Sequence, residues 1–125
     1  MILGTGIDLV SVPRMGRFFA RRKERGLARL FTPSEQAYCL SLADPWPSLA
    51  VRFAAKEAFY KATGSGVGRH GGWRDVEVIR LASGRPVLRL HGEAAVFVQG
   101  LAVRRIHLSL SHTGEVAAAT VLLEG

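Results

Sequence analysis

The pattern of apolar and polar positions predicts helices and strands mixed along one chain. The clearest run is residues 52–62, which are rich in alanine and aromatic residues and contain no glycine or proline. Such a run predicts a helix, and its flanks extend the prediction to residues 46–63.

This predicted helix carries two charged groups in unexpected places. On a helical wheel Arg52, Lys56 and Thr63 share one narrow arc, which is the expected solvent face. Glu57 and Lys61 lie one turn apart on an otherwise apolar arc. They form either a common i,i+4 pair that stabilises the helix or part of a functional site, because ionised groups are rarely packed without a partner.

Further elements follow from turn and capping signals. Thr32, followed by proline and then by Glu35, forms a capping box that begins a second helix. Gly26 is expected to end the first helix. The predicted helices are residues 13–25, 33–42, 46–63 and 93–101. The predicted strands are residues 2–12, 74–81, 86–91, 105–112 and 115–123. The first strand is expected to be buried on both faces for much of its length, and the last four to form two hairpins.

This order predicts an α+β fold, with an antiparallel sheet and helices packed on one face. At 125 residues the chain is expected to form one domain, residues 1–125. The single cysteine, Cys39, excludes a disulfide framework and a thiolate zinc site within the chain. The start has no basic segment before its apolar run, and no segment is long enough to span a bilayer, so we expect a cytoplasmic protein without a membrane partner.

The net charge of +7 is unevenly distributed. Arg14, Arg17, Arg21 and Arg25 follow a 3-4-4 spacing and would form one stripe along the first helix. The stripe is a solvated face, a nucleic-acid footprint or a docking surface for an acidic protein. No aromatic residue interrupts it in a stacking pattern, which favours an acidic protein over nucleic acid. A basic nucleic-acid-binding module remains the alternative.

Asp8 is the second acid in an unexpected place. Strand alternation puts Gly4, Gly6 and Asp8 on one face, where two glycines leave room for a close approach. Asp8 is either a buried partner of an arginine or a ligand for a hard metal. Mg²⁺ accepts one or two protein carboxylates and completes its shell with water and phosphate, so Asp8 and Glu57 together fit it.

His112 ends a predicted strand, at a position where strand alternation places the side chain on the inward face. Its small hydroxyl neighbours, such as Thr113, suit contacts with a pyrophosphate. The alternative is a histidine at the rim of the core with its hydrogen bonds satisfied. The other three histidines form no metal-ligand spacing.

Three motifs in this order resemble the holo-[acyl-carrier-protein] synthase family of 4′-phosphopantetheinyl transferases. They are Gly6-Ile7-Asp8, residues 52–58 with Lys61-Ala62, and residues 109–113. The resemblance covers the whole chain. It implies the 4′-phosphopantetheinyl transferase fold and transfer of the 4′-phosphopantetheine arm of coenzyme A to a serine of acyl carrier protein, in fatty acid biosynthesis. Adenosine 3′,5′-bisphosphate would be released.

The resemblance also implies roles for individual residues. Asp8 and Glu57 would hold Mg²⁺, Lys61 would reach the phosphates, and His112 with Thr113 would contact the pyrophosphate. Glu57, Lys61 and His112 are the expected catalytic residues. The expected contacts to the adenosine end are Arg52, Gly84, Arg85 and Pro86. The expected carrier-docking residues are Arg14 and Arg21, with Arg17 and Arg25 at the rim. Family members of this length form homotrimers, with sites built between subunits.

Overall fold

Four α-helices and five strands make up most of the chain. The computed structural model describes residues 1–125. The elements in order are β1 (Ile2–Ser11), α1 (Val12–Leu30), α2 (Pro33–Leu40), α3 (Trp46–Thr63), a 3₁₀ turn (Trp73–Asp75), β2 (Val76–Arg80), β3 (Pro86–Leu90), α4 (Gly92–Gly100), β4 (Arg105–His112) and β5 (Val116–Glu124). The predicted α+β class and both predicted hairpins are confirmed, and α3 has the predicted bounds.

The strands form two antiparallel sheets. One has three strands in the order β1-β5-β4, and the other is the β2-β3 hairpin. Helix α3 packs on one face of the three-stranded sheet, where Ala119, Val121 and Leu123 of β5 meet alanines of the helix. The predicted capping box at the start of α2 is present, with Thr32 and Glu35 bonded reciprocally.

Two glycines of β1 let α3 approach the strand at backbone distance. A side chain at Gly6 would collide with the carbonyl oxygen of Ala58, and one at Gly4 with that of Ala62. The room predicted on this strand face is therefore filled by a helix backbone. The close approach brings Asp8, two residues further along the same face, beside the last turns of α3.

The opposite face of the three-stranded sheet is uncovered. Ile7 is 60 % exposed and Leu9 is 67 % exposed on β1. The prediction that this strand is buried on both faces is therefore wrong for the single chain, because α3 covers only one side.

The expected solvent arc of α3 is also wrong. Arg52 and Lys56 are buried, with 2 % and 0 % of their surfaces exposed. Lys56 Nζ donates to Glu35 Oε1 at 2.7 Å, and a guanidinium nitrogen of Arg52 donates to Ser48 Oγ at 2.6 Å. The helical wheel misplaced this arc because Glu35, the partner of Lys56, lies on another helix.

Helix α1 runs past its predicted end. Gly26 does not end the helix but packs against the ring of Phe19, and the helix continues to Leu30. A kink interrupts it at Lys23, whose φ of 48° and ψ of −138° are not helical. The kink separates Arg25 from Arg14, Arg17 and Arg21, so the predicted arginine stripe is interrupted.

The two ends of the chain lie side by side. The Met1 ammonium donates to the Gly125 carbonyl at 2.8 Å, and the Gly125 amide donates back to the Met1 carbonyl at 2.9 Å. None of the helices has both the length and the apolar character that crossing a membrane would require.

Candidate functional site

A cavity of about 600 Å³ lies between β1, α1 and α3. One face of α3 supplies Phe53, Glu57 and Lys61, which are spaced one turn apart and therefore line up along the cavity. Asp8 enters from β1, and Trp73 closes the end beside Phe53. The remaining lining residues are Leu9, Val10, Ser11, Arg14, Met15, Phe18, Arg22, Gly26, Arg29 and Leu30.

Asp8 and Lys61 form an ion pair at one end of this cavity. Lys61 Nζ donates to Asp8 Oδ1 at 2.9 Å and to the carbonyl oxygen of Ile7 at 3.0 Å. The lysine side chain is 53 % exposed and the aspartate side chain 16 %. The hydrogen bond to Asp8 raises the pKa of Lys61, so the ammonium is fully charged at neutral pH.

Glu57 lies close enough to Asp8 for the two carboxylates to repel each other. Burial, followed by the charge of Asp8, raises the pKa of Glu57, and the charge of Lys61 only partly offsets this. Of the two opposed hypotheses for Glu57 and Lys61, the simple helix pair fails, because Lys61 bonds to Asp8 on β1 instead.

The two carboxylates suit a hard divalent cation. Oxygen ligands are what Mg²⁺ prefers, and two protein carboxylates leave positions for water and phosphate. No cluster of three or more acids, histidines or cysteines is present, so a cation in this cavity would have two protein carboxylates as ligands. A cation between them would relieve the repulsion that raises the pKa of Glu57.

Arginines of α1 form the opposite wall. Arg14, Arg22 and Arg29 line the cavity, and the Arg22 guanidinium lies 4.0 Å from the centre of the Phe18 ring. Of the four expected docking arginines only Arg14 lines the cavity; the others are exposed on the outer side of α1. These three are Arg17, Arg21 and Arg25. Arg22 and Arg29 were missed, although the i,i+4 spacing of residues 14, 18 and 22 places Arg22 on the same face as Arg14.

The other expected site residues lie outside the cavity. His112 ends β4 and lies two strands away from β1. It pairs with Ala117 of β5, which pairs in turn with Val10 of β1. Its backbone is therefore about 12 Å from that of Asp8, from a strand spacing of about 4.8 Å and a rise of about 3.4 Å per residue. Thr113 Oγ1 accepts from the Glu115 and Val116 amides, both at 3.1 Å, in the same hairpin.

The expected adenosine contacts are also remote within one chain. Gly84, Arg85 and Pro86 form the turn into β3, in the other sheet. Arg52 is buried beneath Tyr38, with its guanidinium 4.7 Å from the ring centre. The single chain thus brings together Asp8, Glu57, Lys61 and Arg14, but not the remaining predicted residues.

Comparison with known proteins points to one family. The family model described as the 4′-phosphopantetheinyl transferase superfamily matches residues 4–121. The chain is 51 % identical over 124 residues to the holo-[acyl-carrier-protein] synthase of Koribacter versatilis, covering 99 % of both proteins.

Solved structures similar to this chain point to the same family. The crystal structure of the holo-[acyl-carrier-protein] synthase of Neisseria meningitidis matches with a TM-score of 0.93 and 31 % identity, covering 100 % of both chains. The Bacillus anthracis enzyme, described in complex with CoA (3′,5′-ADP), matches with a TM-score of 0.81 and 33 % identity, covering 98 % of this chain and 96 % of that one. None of these relatives supports the nucleic-acid-binding alternative. The chain therefore belongs to the 4′-phosphopantetheinyl transferase superfamily, among the holo-[acyl-carrier-protein] synthases.

Proposed function

We propose that this chain transfers the 4′-phosphopantetheine arm of coenzyme A to a serine of apo-acyl carrier protein and releases adenosine 3′,5′-bisphosphate. The single observation that carries the proposal is the meeting of Asp8, Glu57 and Lys61 in one cavity of a chain from this family. Two carboxylates and an ammonium are suited to a pyrophosphate held through a metal ion.

Asp8 and Glu57 are the proposed Mg²⁺ ligands. The metal would supply charge neutralisation on the pyrophosphate of coenzyme A. Glu57 must be ionised to serve as a ligand, and its raised pKa makes that ionisation the pH-sensitive requirement of the site.

Lys61 is the proposed phosphate contact. Its side chain is half-exposed and flexible, and its present partner Asp8 lies on the cavity wall. If Asp8 held the metal, the Lys61 ammonium would be free to donate to a phosphate oxygen instead. Since its pKa is raised, Lys61 holds its protons and acts by charge and orientation rather than as a base.

The α1 arginines are the proposed contact for the acidic carrier. Arg14, Arg22 and Arg29 stand at the cavity, whereas Arg17, Arg21 and Arg25 are exposed on the outer side of the helix. We therefore assign Arg14 to the docked complex, and Arg17, Arg21 and Arg25 to attraction of the carrier during encounter.

We also propose a homotrimer with sites completed between subunits. The uncovered sheet face, with Ile7 and Leu9 exposed, is an apolar surface of the kind that subunit interfaces bury. His112, Thr113 and residues 84–86 would then approach Asp8 and Glu57 from a neighbouring subunit. Arg52 is left out of the proposed site, because contact with a ligand would require Tyr38 to move away. The cytoplasmic location expected from the sequence remains a prediction.

A mass measurement tests the proposed activity. The protein is incubated with an apo-acyl carrier protein, coenzyme A and Mg²⁺, and the carrier mass is followed. We expect a gain of one phosphopantetheine group, and no gain when a chelator is in excess. An unmodified carrier, or full activity with the chelator, would refute the proposal, and tight salt-dependent binding of duplex DNA without modification would favour the nucleic-acid alternative.

A further inference from the structure

A buried ammonium ties the catalytic helix to the end wall of the cavity. Lys56 Nζ donates to Glu35 Oε1 at 2.7 Å, to the Val76 carbonyl at 2.5 Å and to the Trp73 carbonyl at 3.1 Å. We propose that Lys56 is a positioning residue, which acts on the reaction through Trp73 without touching substrate.

The three bonds use the full donor capacity of the ammonium. A lysine ammonium has three protons, and here each has an acceptor on a different part of the chain. The acceptor Glu35 is held in turn, because it receives the Thr32 amide at 3.0 Å and the Val78 amide at 2.8 Å. Lys56 is therefore fixed in direction as well as in place.

Stability alone does not account for a lysine at this position. Burial, the largest effect, lowers the pKa of Lys56 in spite of the opposing charge of Glu35. A buried ion pair is often no more stabilising than apolar residues of the same volume. What an apolar residue could not supply is a directed bond to the backbone of Trp73.

The bond between Lys56 and Trp73 can affect the cavity through one pair of aromatic rings. The Trp73 ring packs on Phe53 with their centres 5.0 Å apart, and both rings line the cavity. Phe53 lies on the same face of α3 as Glu57 and Lys61. Movement of the Trp73 backbone would thus change the shape of the apolar end of the cavity while leaving the charged end in place.

The apolar end of the cavity, formed by Phe53 and Trp73, lies on the side where we expect the carrier protein to dock. This assignment rests on the proposed function. Phe53 is eight residues before Lys61, about 12 Å along the helix axis. It is thus remote from the proposed phosphate contact, and together with Trp73 it packs against the core cluster that contains the apolar residues of α1. Loss of the Lys56 bond is therefore expected to raise the KM for the carrier rather than the KM for coenzyme A.

A double-mutant cycle tests this chain of contacts. Removing the lysine alone would leave Glu35 as an unpaired buried charge, so the change Lys56→Met is made in the Glu35→Gln variant. Glu35→Gln alone is the comparison protein, because its ammonium loses the carboxylate but keeps the donors to Trp73 and Val76. Thermal unfolding first establishes that both proteins are folded at the assay temperature, since this ammonium is then a buried charge without a counter-ion. Both proteins are then made again with Trp73→Ala.

We expect Lys56→Met in the Glu35→Gln variant to raise the KM for the carrier about tenfold, a coupling of the size seen between contacting residues. The KM for coenzyme A should stay within about twofold, the scatter of independent sites. With Trp73→Ala already present, the same change should add less than about twofold. An equal rise in both backgrounds, or a similar rise for Glu35→Gln alone, would overturn the proposal.

A second readout does not depend on activity. With Trp46→Phe as background, Trp73 is the one remaining tryptophan, since the chain has two. Replacing Lys56 should shift its emission to longer wavelength as the indole loses its fixed packing on Phe53, and an unchanged spectrum would refute the link. If the unaltered protein modified no carrier, the proposed function would fail, while the spectrum would still test the contact between Lys56 and Trp73.

Discussion

Lys56 and Glu57 are adjacent on α3, but only the charge of Lys56 is compensated within the protein. Lys56 is fully buried with three acceptors, so its charge is satisfied inside the protein. Glu57 receives no comparable donor, and burial together with the charge of Asp8 raises its pKa. A residue whose ionised form is disfavoured in the folded chain is suited to receive a cation.

Replacing Glu57 should therefore separate stability from function. A raised pKa means that Glu57 favours the folded state below the ordinary carboxyl pKa, and that this contribution is lost as pH rises through the raised value. Glu57→Gln should thus have an equal or higher Tm than the unaltered protein at about pH 7.5, and lose that advantage near about pH 4. Carrier modification should fall by at least about a hundredfold, the scale of losing a group that stabilises transition-state charge.

The control for Glu57 is Glu93→Gln, an exposed acid on α4 outside the cavity. It should keep both Tm and activity. Calorimetric titration of the unaltered protein should also show Mg²⁺ affinity falling as pH drops through the raised pKa of Glu57. A metal affinity that is independent of pH, or an active Glu57→Gln variant, would contradict the assignment.

At the scale of elements, the contact between α3 and β1 places the site. Gly4 and Gly6 admit the helix backbone, and the same approach lets Lys61 Nζ reach both Asp8 and the Ile7 carbonyl. The two proposed metal ligands, Asp8 and Glu57, thus come from two elements whose separation depends on the absence of side chains at Gly4 and Gly6.

A methyl group at Gly6 should separate these elements. Because its Cβ would collide with the Ala58 carbonyl oxygen, Gly6→Ala should lower the free energy of unfolding by about 3 kcal/mol, the upper range for overpacking. Gly114→Ala is the matched control, since nothing lies within 4 Å of its Cβ position. Urea denaturation of both variants measures the difference, and equal midpoints would refute the close approach.

The kink in α1 is a second local feature, and its cost in folding free energy can be tested. Lys23 has a φ of 48°, a region that costs about 1–3 kcal/mol for residues with a side chain. Lys23→Gly should therefore stabilise the protein by about 1 kcal/mol after the added chain entropy of glycine is subtracted. Ala20→Gly, in the regular part of α1, should instead destabilise it by about 1 kcal/mol. A loss of stability in both variants would mean that Lys23 is helical.

At the scale of the whole molecule, local sequence signals predicted most elements and part of the site. The capping box of Thr32 and Glu35 and the bounds of α3 follow from residues near in sequence, and they are confirmed. The side of α3 that faces the core was not predictable, because the acid that neutralises Lys56 is 21 residues away. For the same reason the bond between Lys61 and Asp8, 53 residues apart, was not predicted, and the partner considered for Asp8 was an arginine.

The proposed trimer can be tested at the uncovered sheet face. Ile7→Lys puts a charge on that face, and we expect it to convert a particle of three 13.6 kDa chains into single chains. Val96→Lys is the matched control, because Val96 is 69 % exposed on α4, away from this sheet. Light scattering after size-exclusion chromatography measures both masses. A single-chain mass for the unaltered protein would refute the trimer, and an intact Ile7→Lys trimer would refute this face as its interface.

The hydrogen bonds between Met1 and Gly125 make the fold nearly a closed loop. Because the two ends already touch, a linker of a few glycines would join them without disturbing β1 or β5. New ends could then be opened between residues 64 and 68, where three glycines have no neighbour within 4 Å of their Cβ positions. The order of the elements along the chain is therefore a replaceable feature of this protein, and the site depends on their arrangement in space.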